Sequence, residues 1–380
     1  MKKIAIIDTL GAHGGAFHFY TFGQSIGLIN SGIDVSLYTN NETFDPKING
    51  LNFFSFYENI FSSKSKIING IQWVIGSIKS ILHARFSGIS VFHFHIFYTN
   101  ILVLLNVLLV KLLFGKVVLT IHDVTSFSSN KDSPYINSLM YKLTDLILTH
   151  NQFSKDEVVK MNGSLKGIIH IVPHGNYTPF ITLQKDKKKS REYLALPKNK
   201  KILLFFGMIK KVKGLDVLLE SLAKVVVLDS DIVLLIAGSP WENDFESSEE
   251  IIRDRNLSKH IILHKRFISH DDVEHYYCAS DLVVLPYKKI YQSGVLMMAL
   301  SYGKPVLASD LEPFKEVITD NKDGFIFKSE DTDDLTKKIS VILSDKTNLE
   351  RVQQNGKTLI NMKFGWDAIG RLTKMAYQTL

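Results

Sequence analysis

The residues best suited to binding an anion lie in Tyr291-Gln292-Ser293-Gly294-Val295-Leu296-Met297-Met298-Ala299-Leu300-Ser301-Tyr302-Gly303-Lys304-Pro305-Val306. Ser293 is a good helix N-cap, Gly294 has no side chain to hold a ligand off the backbone, and Gly294, Val295 and Leu296 would offer the N–H groups of a first turn. Leu296, Ala299 and Leu300 continue at helical spacing, Gly303 stands where a helix C-terminus favours glycine, and Pro305–Ala308 reads as a strand. The chemistry expected is capture of a phosphate. Lys210 and Lys213 fit it too: they follow Phe205-Phe206-Gly207, and on a helical turn they would share a face and grip a phosphate from the side. As two solvated lysines they would sit badly at a helix start, where cations are disfavoured without an anion.

Other candidates also fall at the ends of apolar runs. In Thr120-Ile121-His122-Asp123, His122 can donate to a substrate hydroxyl or phosphate, with Asp123 orienting the ring or capping the next turn; a structural role suits the same residues. His174, in Val172-Pro173-His174-Gly175, reads as a hinge or packing residue. Leu10-Gly11-Ala12-His13-Gly14-Gly15-Ala16 is a glycine-rich turn without full G-x-G-x-x-G spacing or the acid expected about twenty residues on, so a nicotinamide site is not expected. It either presents N–H groups to a ligand or is a plain turn. No His, Cys, Asp and Glu recur at metal-ligand spacing, and Asp271-Asp272 and Asp333-Asp334 read as helix-start acids. Without a nucleophile elbow or P-loop lysine, the expected chemistry is charge stabilisation of a leaving group, with neither metal nor cofactor.

The elements that position these residues alternate short β-rich runs with helical stretches, the pattern of parallel α/β sheets. Seven runs occupy the first part: Ile4–Asp8, Asp34–Tyr38, Leu51–Phe56, Ser90–His95, Val117–His122, Leu146–His150 and Ile168–Pro173. The charged stretch Gln184-Lys185-Asp186-Lys187-Lys188-Lys189-Ser190-Arg191 reads as a solvated linker near 176–200, and the rhythm restarts with Ile202–Gly207, Ile232–Ala237, Ile261–His264, Leu282–Pro286, Pro305–Ala308 and Gly324–Phe327. For a chain of 380 residues, two domains are natural. Two such sheets would face a cleft with ligands beyond the strands' carboxyl ends.

Hydrophobic content of 45% against 22% charged is that of a folded globular chain. The lone Cys278 cannot form an internal disulfide and the first residues lack a signal peptide, so a cytoplasmic address is expected. A net charge of +7 suits a phosphorylated ligand, an anionic membrane or nucleic acid, but no nucleic-acid-binding signature accompanies it, so no nucleic-acid partner is expected. Ile96 to Phe114 is interrupted by Tyr98, Asn100, Asn106 and Lys111 and reads as a strand end followed by a buried helix rather than a membrane span. Ile67 to Phe86 puts Ile67, Ile71, Val74, Ile78 and Leu82 on one helical face; packing on a core is expected, and the alternative is an interfacial helix whose Lys64, Lys66, Lys79 and Arg85 meet anionic lipid.

In order and spacing, these segments resemble the glycosyltransferase family 4 group, retaining enzymes of the GT-B fold that use nucleotide sugars. The carriers are Gly14-Gly15, Thr120 to Asp123, Val172 to Gly175, Phe206-Gly207 through Lys213-Gly214-Leu215-Asp216, Ile236-Ala237-Gly238, Ala279 to Pro286, Ser293-Gly294-Val295, Gly303 to Val306 and Phe364-Gly365-Trp366. The resemblance implies two Rossmann-like domains: an acceptor domain, 1–178, with a final helix, 366–380, packed back on it, and a donor domain, 179–365. It implies that Lys210 and Lys213 bind the donor diphosphate together with the Gly294, Val295 and Leu296 N–H groups behind Ser293. Gly207 and Gly238 belong to the same donor site, Phe267 and Ile268 match the segment that touches the nucleobase, His122 matches the residue reaching the transferred sugar, and Gly14 and Gly15 would approach the diphosphate or acceptor. The family's two glutamates are missing, since Ile290 and Met298 hold their positions.

The function implied is retaining transfer of a sugar from a nucleotide diphosphate to an acceptor hydroxyl, in cell-surface polysaccharide or glycolipid synthesis. The expected partners are a nucleotide-sugar donor, a glycan or lipid-linked acceptor and the anionic inner face of a cell membrane. The alternative is a non-catalytic GT-B subunit that stabilises a partner transferase. A sugar-nucleotide epimerase or a glycogen-type phosphorylase fits less well.

Overall fold

In a computed structural model, residues 3–13, 15, 17–97, 99–125, 133–181 and 185–380 are described. The chain forms two compact units, Met1–Gly175 with Phe364–Leu380, and Asn176–Lys363.

In the first unit β1 (Lys3–Asp8) leads to α1 (Phe17–Asn30), β2 (Asp34–Asn40), β3 (Leu51–Tyr57), α2 (Lys66–Phe86), β4 (Val91–Ile96) and α3 (Ile101–Leu112). Next come β5 (Lys116–Ile121), α4 (Pro134–Lys142), β6 (Leu146–Thr149), α5 (Gln152–Met161) and β7 (Ile169–Ile171). Among the described residues these strands form one seven-stranded parallel sheet, ordered β3-β2-β1-β4-β5-β6-β7. Apolar runs such as Ile4-Ala5-Ile6-Ile7 are buried on both faces, as parallel strands covered by helices require.

The second unit runs α6 (Lys187–Tyr193), β8 (Lys201–Phe206), α7 (Leu215–Leu228), β9 (Ile232–Ala237), α8 (Glu246–Asp254), β10 (Ile261–His264) and α9 (His270–Ala279). It continues through β11 (Leu282–Leu285), α10 (Gly294–Ser301), β12 (Val306–Ser309), α11 (Glu312–Lys315), β13 (Phe325–Phe327), α12 (Thr332–Ser344) and α13 (Lys346–Lys363). Its sheet, again parallel, is ordered β10-β9-β8-β11-β12-β13. The sequence thus reads correctly as a two-sheet GT-B chain.

Two local expectations fail. The charged stretch is no linker: Asp186 caps α6 by accepting from Lys189 N at 2.8 Å, and Arg191 is buried, its guanidinium donating to Asp281 at 2.8 Å and to the Ala279 and Lys198 carbonyls. A paired arginine docks a helix that composition alone marks as solvated. α2 also turns the opposite way to the expected core packing. It buries the small residues Gly76, Ser77, Ser80 and Ala84 beside Ile81, and a Cβ on Gly76 would lie 2.7 Å from the Tyr57 ring. That close approach of a small-residue face to β3 leaves Ile67, Ile71 and Ile78 exposed. α3 likewise buries only one face, with Ile101, Leu105 and Leu112 outside, and among the described residues no helix is long and apolar enough to cross a membrane.

The final helix, α14 (Trp366–Tyr377), lies against α1 within the first unit. A Cβ on Gly370 would sit 2.0 Å from Gly27 O, and one on Gly23 would sit 2.0 Å from the Trp366 indole, so glycine on both helices permits the contact. Gly370→Val is expected to lower unfolding stability by about 1–3 kcal/mol or more through overpacking. Gly70→Ala, at a helical position with no atom within 4 Å of the added carbon, should raise it by about 0.5–1 kcal/mol. Urea denaturation of the two variants checks both.

Candidate functional site

In the second unit the carboxyl ends of β8, β9 and β11 build the phosphate-type site. β8 turns at Gly207 (φ +90°) and β9 at Gly238 (φ +152°), and a Cβ on Gly238 would lie 2.1 Å from Gly207 O. Only glycine lets these two turns rest on each other. The chain beyond Gly207 is then pinned, because Ile209 N donates to Ser239 O and Trp241 N to Ile209 O, each at 2.8 Å.

Lys210 is extended (φ −130°, ψ 147°) and precedes a 3-10 turn, Lys211–Lys213, closed by Lys213 N donating to Lys210 O at 2.8 Å. The two lysines therefore flank a tight turn rather than share an α-helical face. Gly214 (φ +66°) opens α7, and a Cβ there would meet Pro286 O at 1.9 Å, which seats the lysine turn on the chain leaving β11.

That chain leads into α10, where Ser293 is the N-cap expected from the sequence: its Oγ accepts from Leu296 N at 3.1 Å. Leu296 is therefore not a ligand donor, and the expectation narrows to Gly294 and Val295, whose N–H groups have no carbonyl of their own helix to bond. A Cβ at Gly207 would lie 3.3 Å from Lys213 Nζ and 3.5 Å from Val295 Cγ2, so the stretch after β8 and the start of α10, far apart in sequence, converge there. Lys210 Nζ lies 4.7 Å from the centre of the Trp241 ring and Lys213 Nζ lies 5.6 Å from that of Tyr287. Among the described residues neither ammonium has a carboxylate partner. Burial, reinforced by the Lys210 charge, lowers Lys213 to about 7. Two cations without a carboxylate partner among the described residues, beside the first turn of a helix, are an arrangement suited to an anion.

Past β10, Phe267 is exposed and Ile268 is buried. At the two positions where the resemblance implies glutamates, Met298 is buried on α10 and Ile290 is half-buried before it. Among the described residues no group of three or more His, Cys, Asp or Glu is placed to hold a metal ion.

In the first unit, the turn after β1 is organised by Asp8, a buried carboxylate that accepts from Gly11 N at 2.9 Å and from the Thr21 hydroxyl at 3.0 Å. The Gly11, Ala12 and His13 N–H groups are bonded within the unit, to Asp8, Thr43 and Leu10 respectively. Gly15 sits at a bend, and Gly14 lies outside the described residues. Burial raises Asp8 to about 6 against its bonds to Gly11 and Thr21.

His122 follows β5 and lies in a row of histidines across the strand ends. His95 Nδ1 is 3.1 Å from His122 Nε2, His122 Nδ1 is 3.1 Å from His150 Nε2, and His150 Nδ1 is 3.0 Å from Val172 O. At the other end His95 Nε2 is 3.0 Å from the Gln24 carboxamide on α1. Phe97 stacks on the His122 ring at 4.6 Å and Phe17 meets it edge-on at 5.0 Å. Burial, then the neighbouring histidines, lowers His95 and His122 well below the usual histidine range, and burial lowers His150 to about 4. His122 thus has both ring nitrogens bonded inside the unit. His174 packs on Tyr20 at 4.7 Å and bonds the Gly175 carbonyl, while a Cβ on Gly175 would meet the Trp366 ring at 2.5 Å, so this segment has a packing role.

Sequence reasoning missed Asp8, Gln24, His95 and His150. The available signal was a histidine at the end of successive strands, in Val91-Phe92-His93-Phe94-His95, Thr120-Ile121-His122 and Leu148-Thr149-His150.

Two parallel α/β units are the architecture of a GT-B protein. The family model for Glycosyltransferase Family 4 matches residues 18–176 and that for Glycosyl transferases group 1 matches residues 186–359. The chain belongs to this family of glycosyltransferases. It is 25% identical over 205 residues to spore coat protein SA of Bacillus subtilis, covering 51% of this chain and 53% of the relative. It is 23% identical over 244 residues to the capsular polysaccharide biosynthesis glycosyltransferase CapM of Staphylococcus aureus, covering 63% of each. The chain thus spans about half to two thirds of the length of these curated relatives. Among solved structures it resembles sucrose-phosphate synthase from Thermosynechococcus elongatus (TM-score 0.76, 18% identity, 100% and 98% coverage). It also resembles Anabaena HepE in complex with UDP-glucose (TM-score 0.75, 16% identity, 100% of both chains).

Because Asp8 titrates at about 6 when folded against an ordinary 3.8, the fold binds its proton more tightly than the unfolded chain does. Its contribution to stability therefore rises as pH falls from 6 towards 4, and above pH 6 the buried carboxylate costs on the order of 3 kcal/mol. Asp8→Asn is expected to stabilise the protein more at pH 8 than at pH 5, measured by urea denaturation of both proteins at both pH values.

Proposed function

We propose that the protein is a glycosyltransferase that moves a sugar from a nucleoside diphosphate to an acceptor hydroxyl, with the diphosphate held in the second unit. The observation that carries this reading is the convergence of Lys213, Gly207 and Val295 beside Lys210, with no carboxylate on either lysine among the described residues. Departure of the diphosphate builds negative charge, and the two ammoniums with the Gly294 and Val295 N–H groups would stabilise it. These cations take the part that a metal ion plays elsewhere, so turnover is expected to survive EDTA. Attack by the acceptor on the face the diphosphate leaves would retain configuration. The UDP-glucose of HepE makes UDP the first donor nucleotide to test.

The acceptor proposed is a growing cell-surface glycan or lipid-linked sugar, in keeping with the capsular role in the CapM name. The protein would reach it at the inner face of the cell membrane. In support, α2 packs on α3 and α3 on α4, the three carry no Asp or Glu, and they expose Ile67, Ile71, Ile78, Ile101 and Leu112, with Lys66 and Lys79 on α2, the latter 3.8 Å from Glu58. Such a face suits an anionic lipid surface. Sedimentation with phosphatidylglycerol vesicles at low salt, weakened in Ile71→Asp and in a Lys66→Gln/Lys79→Gln variant, checks this; no sedimentation removes the membrane contact.

A second reading, a non-catalytic subunit that stabilises a partner transferase, is motivated by Ile290 and Met298, which are apolar at the positions where the resemblance implies two glutamates. UDP calorimetry followed by a donor-hydrolysis assay separates the two, since binding and turnover sink the second reading.

Lys213→Ala is expected to lower kcat about 10²-fold or more. An anion can bind strongly only to charged Lys213, which titrates near 7 in the free protein. UDP affinity should therefore fall by up to about tenfold per pH unit above pH 7, with proton uptake visible in calorimetry across buffers of different ionisation enthalpy. A pH-independent affinity overturns the role given to Lys213.

A further inference from the structure

We propose that His150 is a positioning residue that fixes His122 in its Nδ1–H tautomer, so that His122 Nε2 is an acceptor and never a donor. The inference rests on counting hydrogens along the row. The Val172 carbonyl can only accept, so its 3.0 Å contact places the proton of His150 on Nδ1. A neutral His150 then presents a bare Nε2, and the 3.1 Å link to His122 Nδ1 is made only if His122 carries its proton there. The same step repeats at the 3.1 Å link between His122 Nε2 and His95 Nδ1, and leaves His95 Nε2 bare as well.

The row therefore needs a donor at its far end. The carboxamide as placed turns its oxygen to His95 Nε2 at 3.0 Å and leaves the buried Gln24 nitrogen without a partner among the described residues, so turning it over satisfies both groups and makes Gln24 the donor. Facing the oxygen to His95 would also leave four contacts to be filled by three neutral rings, and one ring would have to become an imidazolium. The enclosure of His122 by Phe97, Phe17 and Tyr20 opposes that charge. Polarity thus runs one way, set by a backbone carbonyl that cannot change its role.

The consequence reverses the sequence expectation for His122. With Nε2 as acceptor it cannot donate to a phosphate oxygen; it can receive a hydrogen bond from a sugar hydroxyl when His95 gives way. This last step rests on the glycosyltransferase reading, whereas the tautomer does not.

Long-range proton–nitrogen NMR of ligand-free protein labelled with 15N-histidine at pH 7.5 tests it, with signals assigned by single substitutions. Pyrrole-type Nδ1 and pyridine-type Nε2 signals are expected for His95, His122 and His150. His150→Phe should convert His122 to a tautomer mixture, while Gln24→Leu, at the other end, should leave His122 unchanged. An Nε2–H or doubly protonated His122 in the unsubstituted protein, or a His122 reset by Gln24→Leu, overturns the proposal even if His150→Phe fails to fold. With UDP-glucose or another accepted donor, His150→Phe is expected to lower kcat/KM about fivefold to tenfold, the weight of one hydrogen bond. If the tautomers hold and turnover does not change, the lock stands and the sugar contact falls.

Discussion

Parallel strand pairing is the constraint on which the rest of this structure depends. Because every strand in a unit runs the same way, the carboxyl ends fall on one edge, and residues widely separated in sequence become neighbours there. Gly207, Gly238 and Val295 share an edge in the second unit, and His95, His122 and His150 share one in the first. The register carries the histidine row directly: His95 pairs with Thr120 and Ile121 with Thr149, so His122 and His150 emerge side by side.

The two edges handle charge in opposite ways. In the second unit, Lys213 is half-buried beside a second cation, at an energetic cost that loss of its proton relieves and that a neighbouring anion would relieve as well. In the first, burial suppresses charge, and the imidazoles satisfy one another through neutral hydrogen bonds ending on a backbone carbonyl. Asp8 holds the adjoining turn as a carboxyl whose ionisation burial opposes, which raises it to about 6. One edge attracts a charged group, and the other fixes the direction of neutral hydrogen bonds.

Glycine placement makes these approaches possible. Gly207, Gly214 and Gly238 each combine a positive φ with a neighbouring atom where a side chain would stand. The same geometry on α1 and α14 closes the first unit, and the small face of α2 follows the same logic, with the consequence that its isoleucines point outward.

Much of this was legible in the sequence. All the expected strands form, Ser293 caps its helix, Gly303 (φ +62°) ends it, and the order of motifs identified the family, because apolar period, caps and glycines are local signals. What sequence could not decide was set by partners distant along the chain. Arg191 docks α6 because Asp281 is waiting for it, and α2 turns its small face inward because Tyr57 sits close. By contrast the Leu296 N–H, assigned to a ligand from the sequence, is taken by Ser293, a local cap that the sequence itself offered. Sequence by itself determined the elements, their parallel class and the cations; tertiary structure alone decided which polar groups are left for a ligand, since a hydrogen bond used inside the fold cannot also be offered outside it.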